Sequence, residues 1–172
     1  HGENKAYESK AYRKILENAA RKPAKAVRNN GDAPAALAKA KQRFEAEYYQ
    51  PHIAHSSMEP PAATVRIIDG KCEAWACVQA PQATLETVSA HLGFKPENVK
   101  INVTLLGGGF GRKSKPDFVA EAALLSQAMG GKPVKVTWSR EDDIHHDYFH
   151  TVSLERLECA LDAKGLPTAW LH

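Results

Sequence analysis

The sequence predicts an α+β fold with a mixed sheet. Helical and strand-like segments alternate along the 172 residues without the regular rhythm of βαβ units. Asp69-Gly70 stands between two β-rich runs, a strong signal for a hairpin. Asp117–Met129 has apolar residues at helical spacing. Hydrophobic residues make up 43% and charged residues 25% of the chain, as in an ordinary globular domain.

The first half of the chain is predicted to form two helices, a strand and a hairpin. Residues 9–22 carry apolar side chains at helical spacing and end before Pro23, and Asp32 opens a second short helix. Alternating apolar and polar residues over 44–49 predict a half-buried strand. The hairpin strands are predicted at 64–68 and 72–78. We divide the chain into an N-terminal helical segment, 1–42, and an α+β domain, 43–172.

The second half is predicted to continue this alternation. A helix over 82–92 stops at Gly93, and a strand over 99–105 runs directly into a glycine-rich turn. The helix Asp117–Met129 is expected to bury one stripe, and strands follow at 134–138, 154–161 and from Pro167 onward. The members of that stripe are Phe118, Ala122, Leu125 and Met129.

Charge and membrane signals favour a globular chain without nucleic acid binding. Residues 1–30 hold eight Lys or Arg against three Glu, although the net charge of the chain is only +3. This basic start has no aromatic stacking pattern or reading motif, so a solvated helical face is the favoured interpretation. No apolar run approaches the roughly 18 residues of a membrane span. The sequence gives no indication of location.

Cysteine, histidine and acidic groups are further candidate sites. The three cysteines form no CxxC pair and are expected to be buried free thiols. His145, His146 and His150 lie close in sequence, so a metal site is conceivable, but loop histidines are favoured and no metal ligand is assigned. We expect residues 141–143 to start a helix or form a solvated turn, His55 to make a structural contact, and Met58 and Met129 to pack.

The glycine-rich turn is the most specific feature. Four glycines in Gly107-Gly108-Gly109-Phe110-Gly111 permit positive φ and bring main-chain N–H groups close to a ligand. Arg112 and Lys113 are expected to add positive charge for an anion. Arg112 also breaks both the GxGxxG and the P-loop patterns. From these residues alone, a cofactor or anion cradle and a tight structural turn both stay open.

Several ordered motifs together resemble the molybdenum hydroxylases, which include xanthine dehydrogenase, aldehyde oxidase, carbon monoxide dehydrogenase and isoquinoline oxidoreductase. The glycine turn with Arg112-Lys113 follows Cys77-Val78-Gln79-Ala80-Pro81-Gln82 at the end of a strand. Residues 55–61, with the sequence HSSMEPP, and the segments after Gly131 and Ser139 agree in order and spacing. Arg112 and the Met58-Glu59-Pro60 segment make the sequence more similar to the isoquinoline oxidoreductase branch.

The resemblance implies a cofactor and a reaction. Gln79 would donate a hydrogen bond to the apical oxygen of molybdenum. Main-chain groups of the glycine loop would hold the pterin, and the implied binding residues there are Gly107, Gly108, Gly109, Phe110, Gly111 and Arg112. The parent would bind molybdopterin cytosine dinucleotide and hydroxylate aldehydes or N-heterocycles with oxygen from water. Electrons would leave through iron–sulfur clusters on a partner subunit.

The same resemblance implies that the chain is part of a larger subunit. The general-base glutamate of the family would lie outside this sequence, so no catalytic residue is assigned here and the chain alone is expected to be inactive. One alternative is a free-standing α+β module that binds an anion or nucleotide at the glycine turn. Another is a structural module in which the glycines only make a turn.

Overall fold

The computed structural model describes residues 3–172, and the first two residues of the predicted N-terminal segment lie outside this range. Helices and strands alternate through the described residues, so the α+β prediction is confirmed. The chain forms two compact units. The central unit is Ile53–His150, and the terminal unit joins the described residues up to His52 with Thr151–His172.

The elements follow the predicted order. The helices are α1 (Ser9–Ala20), α2 (Ala33–Lys39), α3 (Pro81–Leu92), α4 (Asp117–Ala128) and α5 (Arg140–His145). The strands are β1 (Gln42–Gln50), β2 (Ala62–Ile68), β3 (Lys71–Ala76), β4 (Val99–Val103), β5 (Val134–Thr137), β6 (Ser153–Leu161) and β7 (Pro167–Leu171). Short 3-10 turns lie at Glu3–Ala6, Pro96–Asn98 and Arg112–Ser114.

A mixed four-stranded sheet organises the central unit. Its strand order is β4-β3-β2-β5, with β3 and β4 parallel and the other two pairs antiparallel. Strands β3 and β4 each end two residues earlier than predicted, at Ala76 and Val103. The carbonyl of Ala76 accepts hydrogen bonds from the N–H groups of Val78 and Thr104, at 3.2 and 3.1 Å. The chain therefore leaves the sheet there, and the candidate site begins at this edge.

Helices α3 and α4 cover the sheet of the central unit. Helix α4 packs against β2 and β5, and α3 packs against α4 and β4. Gly93 ends α3 in the left-handed conformation that the sequence indicated, with φ 68°. The core between these layers includes Val65, Ala74, Val88, Phe118, Val119, Ala122 and Ala123.

The buried face of α4 differs from the predicted stripe. Phe118 and Ala122 are buried as expected, but Leu125 and Met129 are exposed, so that part of the prediction was wrong. The buried side instead includes Val119, Ala123 and Ser126. A stripe through 119, 123 and 126 has helical spacing too, and alanine at 122 and 123 lets the helix approach the sheet closely.

The terminal unit is built on a three-stranded antiparallel sheet of order β1-β6-β7. Helix α1 packs against β6, and α2 packs mainly against β7. Asp32 caps α2 by accepting the N–H of Ala35 at 3.0 Å. The predicted strands β6 and β7 are confirmed and form a hairpin, and Asp162 closes its turn by accepting from the N–H of Leu166 at 2.9 Å.

Apolar side chains of this sheet are more exposed than the alternation over 44–49 predicted. Phe44 and Tyr48 are each 56% exposed, so the strand is confirmed and its half-burial is wrong. They line an apolar groove with side chains of β6 and β7. No residue of α1 is buried, as expected for a solvated basic helix.

The cysteine prediction is confirmed, since Cys72, Cys77 and Cys159 are all buried and free. Burial raises the pKa of the Cys72 thiol to about 11, which keeps it protonated and unreactive at neutral pH. Among the helices formed by residues 3–172, none is both long and apolar enough to cross a membrane.

Candidate functional site

The glycine loop, Gly107–Gly111, joins β4 to the turn before α4 within the central unit. Gly108 and Gly111 have φ values of 94° and 105°, which side-chain-bearing residues rarely adopt. Phe110 also has a positive φ, 52°, and its side chain is 72% exposed. A bulky residue in this conformation is unusual and points to a constrained turn. The sequence prediction of positive φ in this loop is confirmed.

Gln79 lies directly against this loop. Its Oε1 accepts the main-chain N–H of Gly111 at 3.0 Å, and its own main-chain N–H donates to the carbonyl of Lys113 at 2.9 Å. A Cβ at Gly109 would lie 2.8 Å from Cδ of Gln79, so a side chain there would displace the Gln79 amide from this position. Because a main-chain donor faces Oε1, the amide orientation is defined. No described residue accepts a hydrogen bond from Nε2 of Gln79.

Glu59 binds Gly107, the first residue of the loop, through hydrogen bonds. Its Oε2 accepts the N–H of Gly107 at 3.0 Å and the ammonium of Lys113 at 2.9 Å. Its main-chain N–H donates to the carbonyl of Gly107 at 3.1 Å, and a Cβ at Gly107 would lie 2.7 Å from Cβ of Glu59. The hydrogen bond from Lys113 is the main reason that the pKa of Glu59 is below its ordinary value. This carboxylate therefore ties the beginning of the loop to the residue that follows its end.

Arg112 supports the loop from inside the central unit. Its guanidinium is fully buried and donates two hydrogen bonds to the carboxylate of Asp117, at 3.0 and 2.9 Å. Nε lies 3.5 Å from Oδ1 of Asp147, and the rings of Trp138 and Tyr148 lie about 5 Å away. Arg112 was expected to offer charge to an anion. That interpretation is wrong, because its buried charge is paired with the carboxylates of Asp117 and Asp147.

The expected charge of Lys113 is also directed inward. Its side chain is fully buried and pairs with Glu59. Cys77 lies beside this pair, and burial, reinforced by the Glu59 carboxylate, raises the pKa of its thiol. Neither cation following the glycines therefore faces solvent with a free charge.

His55 makes the structural contact that the sequence analysis expected. Nδ1 lies 2.9 Å from Oδ1 of Asp147, and the main-chain N–H of His55 donates to Oδ2 at 2.6 Å. Burial opposes ionisation of Asp147, but these hydrogen bonds hold the pKa of its carboxyl below the ordinary value. Asp147 is therefore ionised at neutral pH.

Alternate residues of the segment His55–Glu59 contact the glycine loop. A Cβ at Gly111 would lie 3.6 Å from Nε2 of His55, and one at Gly108 would lie 3.3 Å from Cβ of Ser57. The third of these contacts is between Glu59 and Gly107. Sequence reasoning gave no loop contact to Ser57 or Glu59, because residues 55–59 form no regular element and meet the loop only in the folded unit.

The two methionines do not pack as predicted. Met58, between Ser57 and Glu59, is 90% exposed. Met129 is exposed at the end of α4. The packing prediction for both residues was wrong.

The acidic run before the histidine cluster starts helix α5. Ser139 accepts the N–H of Asp142 at 3.1 Å, and Asp142 accepts the N–H of Ser139 at 3.1 Å, which makes a capping box. Asp143 is buried against Arg140, which also donates to the carbonyl of Ser57. The helix-start prediction for residues 141–143 is confirmed.

His145 is the last residue of α5, and the histidines here are distributed among aromatic contacts. The ring of His146 stacks edge-on with Trp138 at 5.7 Å and with His145 at 5.0 Å. The His150 ring lies 6.3 Å from that of His55. Within residues 3–172, no group of three or more His, Cys, Asp or Glu side chains is arranged to hold a metal ion.

Comparison with known proteins shows which family this chain is similar to. The family model of the molybdopterin cofactor-binding domain matches residues 16–171, which is nearly the whole chain. The chain belongs to this family. Both the glycine loop and Gln79 lie inside the matched range. The family resemblance inferred from the sequence motifs is thereby confirmed.

Curated relatives of this molybdopterin cofactor-binding domain are oxidoreductases. It is 36% identical over 141 residues to the membrane-bound aldehyde dehydrogenase [pyrroloquinoline-quinone] of Gluconacetobacter polyoxogenes, covering 82% of the chain and 18% of that protein. It is 35% identical over 129 residues to the beta subunit of isoquinoline 1-oxidoreductase of Brevundimonas diminuta, covering 74% of the chain and 16% of that protein. The chain thus spans less than a fifth of the length of these relatives.

Solved structures share the fold of the domain. Aldehyde oxidoreductase from Desulfovibrio gigas aligns with a TM-score of 0.63 and 22% identity, over 79% of this chain and 15% of that chain. Quinoline 2-oxidoreductase from Pseudomonas putida 86 aligns with a TM-score of 0.62 and 20% identity, over 81% of this chain and 18% of that chain.

The residues present fit a large ligand at the loop. The main chain of 107–111 carries a single side chain, and the ring of Phe110 projects into solvent. Gln79 presents a fixed amide with an unused donor, and a Cβ at either Gly107 or Gly109 would overlap a neighbouring side chain. The domain therefore offers bare main chain and one oriented polar group on the same edge.

Proposed function

We propose that Gln79 and the glycine loop hold a molybdenum cofactor in a protein that hydroxylates aldehydes or N-heterocycles with oxygen from water. The observation that carries this proposal is the hydrogen bond from Gly111 N–H to Oε1 of Gln79. This hydrogen bond fixes the orientation of the Gln79 amide, so that its NH₂ group can donate to a ligand at the loop. When bound, a molybdenum cofactor supplies two-electron redox chemistry.

Gln79 would act as a preorganised donor toward an oxygen of the bound metal centre. Two hydrogen bonds hold the residue, one to its side chain from Gly111 and one from its main chain to Lys113. Because the amide is already oriented, little reorganisation is needed when charge develops on a neighbouring oxygen. Such an outer contact orients and tunes a metal site without binding the metal itself.

The loop would contribute main chain rather than side-chain charge. Gly107, Gly108, Gly109, Phe110 and Gly111 form the surface against which we propose the pterin lies. For Arg112 we propose a supporting role. Its guanidinium is buried and pairs with Asp117 and Asp147, and its main-chain N–H donates to the carbonyl of Gly109 at 2.8 Å. The general base is proposed to belong to another part of the full-length protein.

The finer features of the resemblance remain part of the proposal. These are the cytosine dinucleotide form of the cofactor, an iron–sulfur partner subunit, and completion of the site by the rest of a large subunit. Two relatives are named as single subunits of their enzymes, isoquinoline 1-oxidoreductase and nicotinate dehydrogenase, which supports a multi-subunit enzyme. Isoquinoline and nicotinate, which these names specify, are both N-heterocycles.

One observation favours a different cofactor, pyrroloquinoline quinone. The relative from Gluconacetobacter polyoxogenes carries pyrroloquinoline quinone in its name and is 36% identical to this chain. Molybdenum is favoured here because the family match is to a molybdopterin cofactor-binding domain over residues 16–171. A free-standing anion-binding module is disfavoured, because Arg112 and Lys113 are both buried in ion pairs.

Replacing Gln79 tests the proposed function. In the full-length protein we expect Gln79→Ala to lower turnover of aldehydes or N-heterocycles by about 10- to 100-fold, the usual effect of removing an outer partner of a metal site. Molybdenum content should change little, because the loop that holds the cofactor remains. Steady-state kinetics and metal analysis by mass spectrometry check both expectations.

Gln82→Ala is the matched control. Gln82 is an exposed glutamine three residues along the chain, and its amide bonds only to Glu86 among the described residues, at 2.8 Å. We expect this variant to keep wild-type turnover. Equal activity of the Gln79 variant and the control would contradict the assigned role. Wild-type protein that contains quinone but neither molybdenum nor pterin would overturn the cofactor itself.

A further inference from the structure

His55 presents a second unused polar atom at the glycine loop. Its Nδ1 is turned to the carboxylate of Asp147, at 2.9 and 3.2 Å from the two oxygens. An ionised carboxylate accepts only, so Nδ1 carries the proton. In the neutral ring, Nε2 is therefore a hydrogen-bond acceptor.

The environment of Nε2 lacks a donor for this acceptor. The side chain of His55 is only 10% exposed, and no described residue forms a hydrogen bond with Nε2. Nε2 is not sealed in the core, so a ligand at the loop can reach it. The nearest part of the loop is Gly111, where a Cβ would lie 3.6 Å from Nε2. Gly111 has no side chain to fill this space.

Gly111 is therefore flanked by two nitrogens with complementary roles. Its N–H is bonded to Oε1 of Gln79, which leaves Nε2 of Gln79 as a donor. Nε2 of His55 faces the same glycine as an acceptor. A ligand with both donor and acceptor groups, such as a pterin-containing cofactor, matches this pair.

The ring is held in place by a rigid network. The side chain of Asp147 is 1% exposed and also accepts the main-chain N–H of His55 at 2.6 Å. The buried guanidinium of Arg112 lies 3.5 Å from the same carboxylate and stabilises its charge. Arg112 thus acts on His55 through Asp147, which gives a reason for a buried arginine directly after the loop.

We propose that Nε2 of His55 accepts a hydrogen bond from the molybdenum cofactor bound at the glycine loop, and that Asp147 sets the ring tautomer for this contact. This inference rests on the proposed function. It adds a cofactor-binding residue that lies in the chain 24 residues before Gln79.

The test uses full-length protein carrying His55→Ala, His55→Gln or Asp147→Asn. We expect His55→Ala to lower the molybdenum retained after dialysis by about tenfold or more, in line with the loss of an outer partner. His55→Gln keeps a polar group close to the position of Nε2 and should recover part of this retention. Asn at 147 would donate to Nδ1 and move the ring proton to Nε2, so Asp147→Asn should reproduce the loss with the ring still present.

Two controls separate cofactor binding from folding. His91→Gln changes an exposed histidine of α3 whose ring bonds to the carbonyl of Thr87, and it should retain wild-type molybdenum. Thermal unfolding of protein from cells grown without molybdate gives the stability of each cofactor-free variant. The His55 variants should keep an unfolding midpoint close to that of the wild type in this state.

The outcomes distinguish the two proposals. Undiminished molybdenum retention by His55→Ala would overturn the role of His55 and leave the proposed function standing. A change confined to the KM for substrate would do the same, because it places the contact on the substrate. Wild-type protein without molybdenum and pterin would overturn both.

Discussion

The two units use charged residues in different ways. In the central unit, Arg112 and Lys113 are fully buried, and each is paired with a carboxylate next to the glycine loop. In the terminal unit, the pairs Arg13–Glu17 and Arg21–Glu47 stand at the surface. A buried charge that loses its partner is strongly destabilising, whereas a surface pair contributes little. Buried pairs therefore fix the geometry of the loop, and surface pairs do not fix any comparable feature.

The apolar residues show the same difference. The central unit encloses a core between its sheet and helices α3 and α4. The sheet of the terminal unit leaves Phe44, Tyr48 and Trp170 more than half exposed. Every contact that positions Gln79, His55 and Glu59 lies within Ile53–His150. Among the described residues, the candidate site is therefore built from the central unit.

The largest effect on stability is expected from Arg112→Leu. The substitution leaves the buried carboxylate of Asp147 without its cation and removes both hydrogen bonds to Asp117. Breaking a buried pair in this way typically costs about 3–5 kcal/mol. Urea unfolding of the wild type and the variant measures this difference.

Arg43→Leu in the terminal unit is the matched control. Arg43 pairs with Glu45 and Glu158, but 42% of its side chain is exposed. We expect its loss to cost less than about 1 kcal/mol. Similar costs for the two arginines would show that the contrast between the units is wrong.

A smaller, pH-dependent effect is expected from Glu59→Gln. Glutamine keeps an acceptor for Gly107 and Lys113 but removes the negative charge, which we expect to cost about 1 kcal/mol at pH 7, because 43% of the Glu59 side chain is exposed and solvent screens the pair. Lys113 and the N–H of Gly107 hold the pKa of Glu59 below its ordinary value. A lowered carboxyl pKa stabilises the fold above the unfolded-state pKa, about 4.3, and this contribution is lost as the pH falls through the folded-state pKa.

The gap between the wild type and Glu59→Gln should therefore be largest at neutral pH and close on acidification. Urea titrations at several values between pH 7 and pH 3 measure it. Other carboxyl groups titrate in both proteins, so the difference isolates Glu59. A gap that stayed constant or widened toward pH 3 would contradict the ion pair with Lys113.

Much of the fold was predictable because its signals are local. Asp69-Gly70 marked the hairpin, Gly93 the end of α3, and Asp32 the start of α2. Burial was predicted less well. The exposed Leu125 and Phe44 both belong to regular apolar patterns, yet a pattern specifies the element and not which of its residues are covered.

The residues of the candidate site also differ in how well the sequence predicted them. The glycine loop could be predicted because a run of glycines indicates a backbone with positive φ. Gln79 could be predicted because it lies in a motif that resembles the family. The inward direction of Arg112 could not, since its partner Asp147 lies 35 residues further along the chain and becomes adjacent only in the folded unit. Glu59 was missed for a related reason, because its contact with Lys113 spans 54 residues.

The smallest effect is expected from Glu17→Gln on α1. Glu17 accepts a hydrogen bond from Arg13 one helical turn earlier at 2.9 Å, and the guanidinium of Arg13 also stacks on the ring of Tyr49 at 4.6 Å. Losing the ion pair while keeping the stacking should cost about 0.3–0.5 kcal/mol, and added salt should remove most of that difference. Urea unfolding at low and high salt measures the loss of stability and its dependence on salt. A cost as large as that of Arg112→Leu, and insensitive to salt, would mean that this surface pair is as structurally important as the buried ones beside the loop.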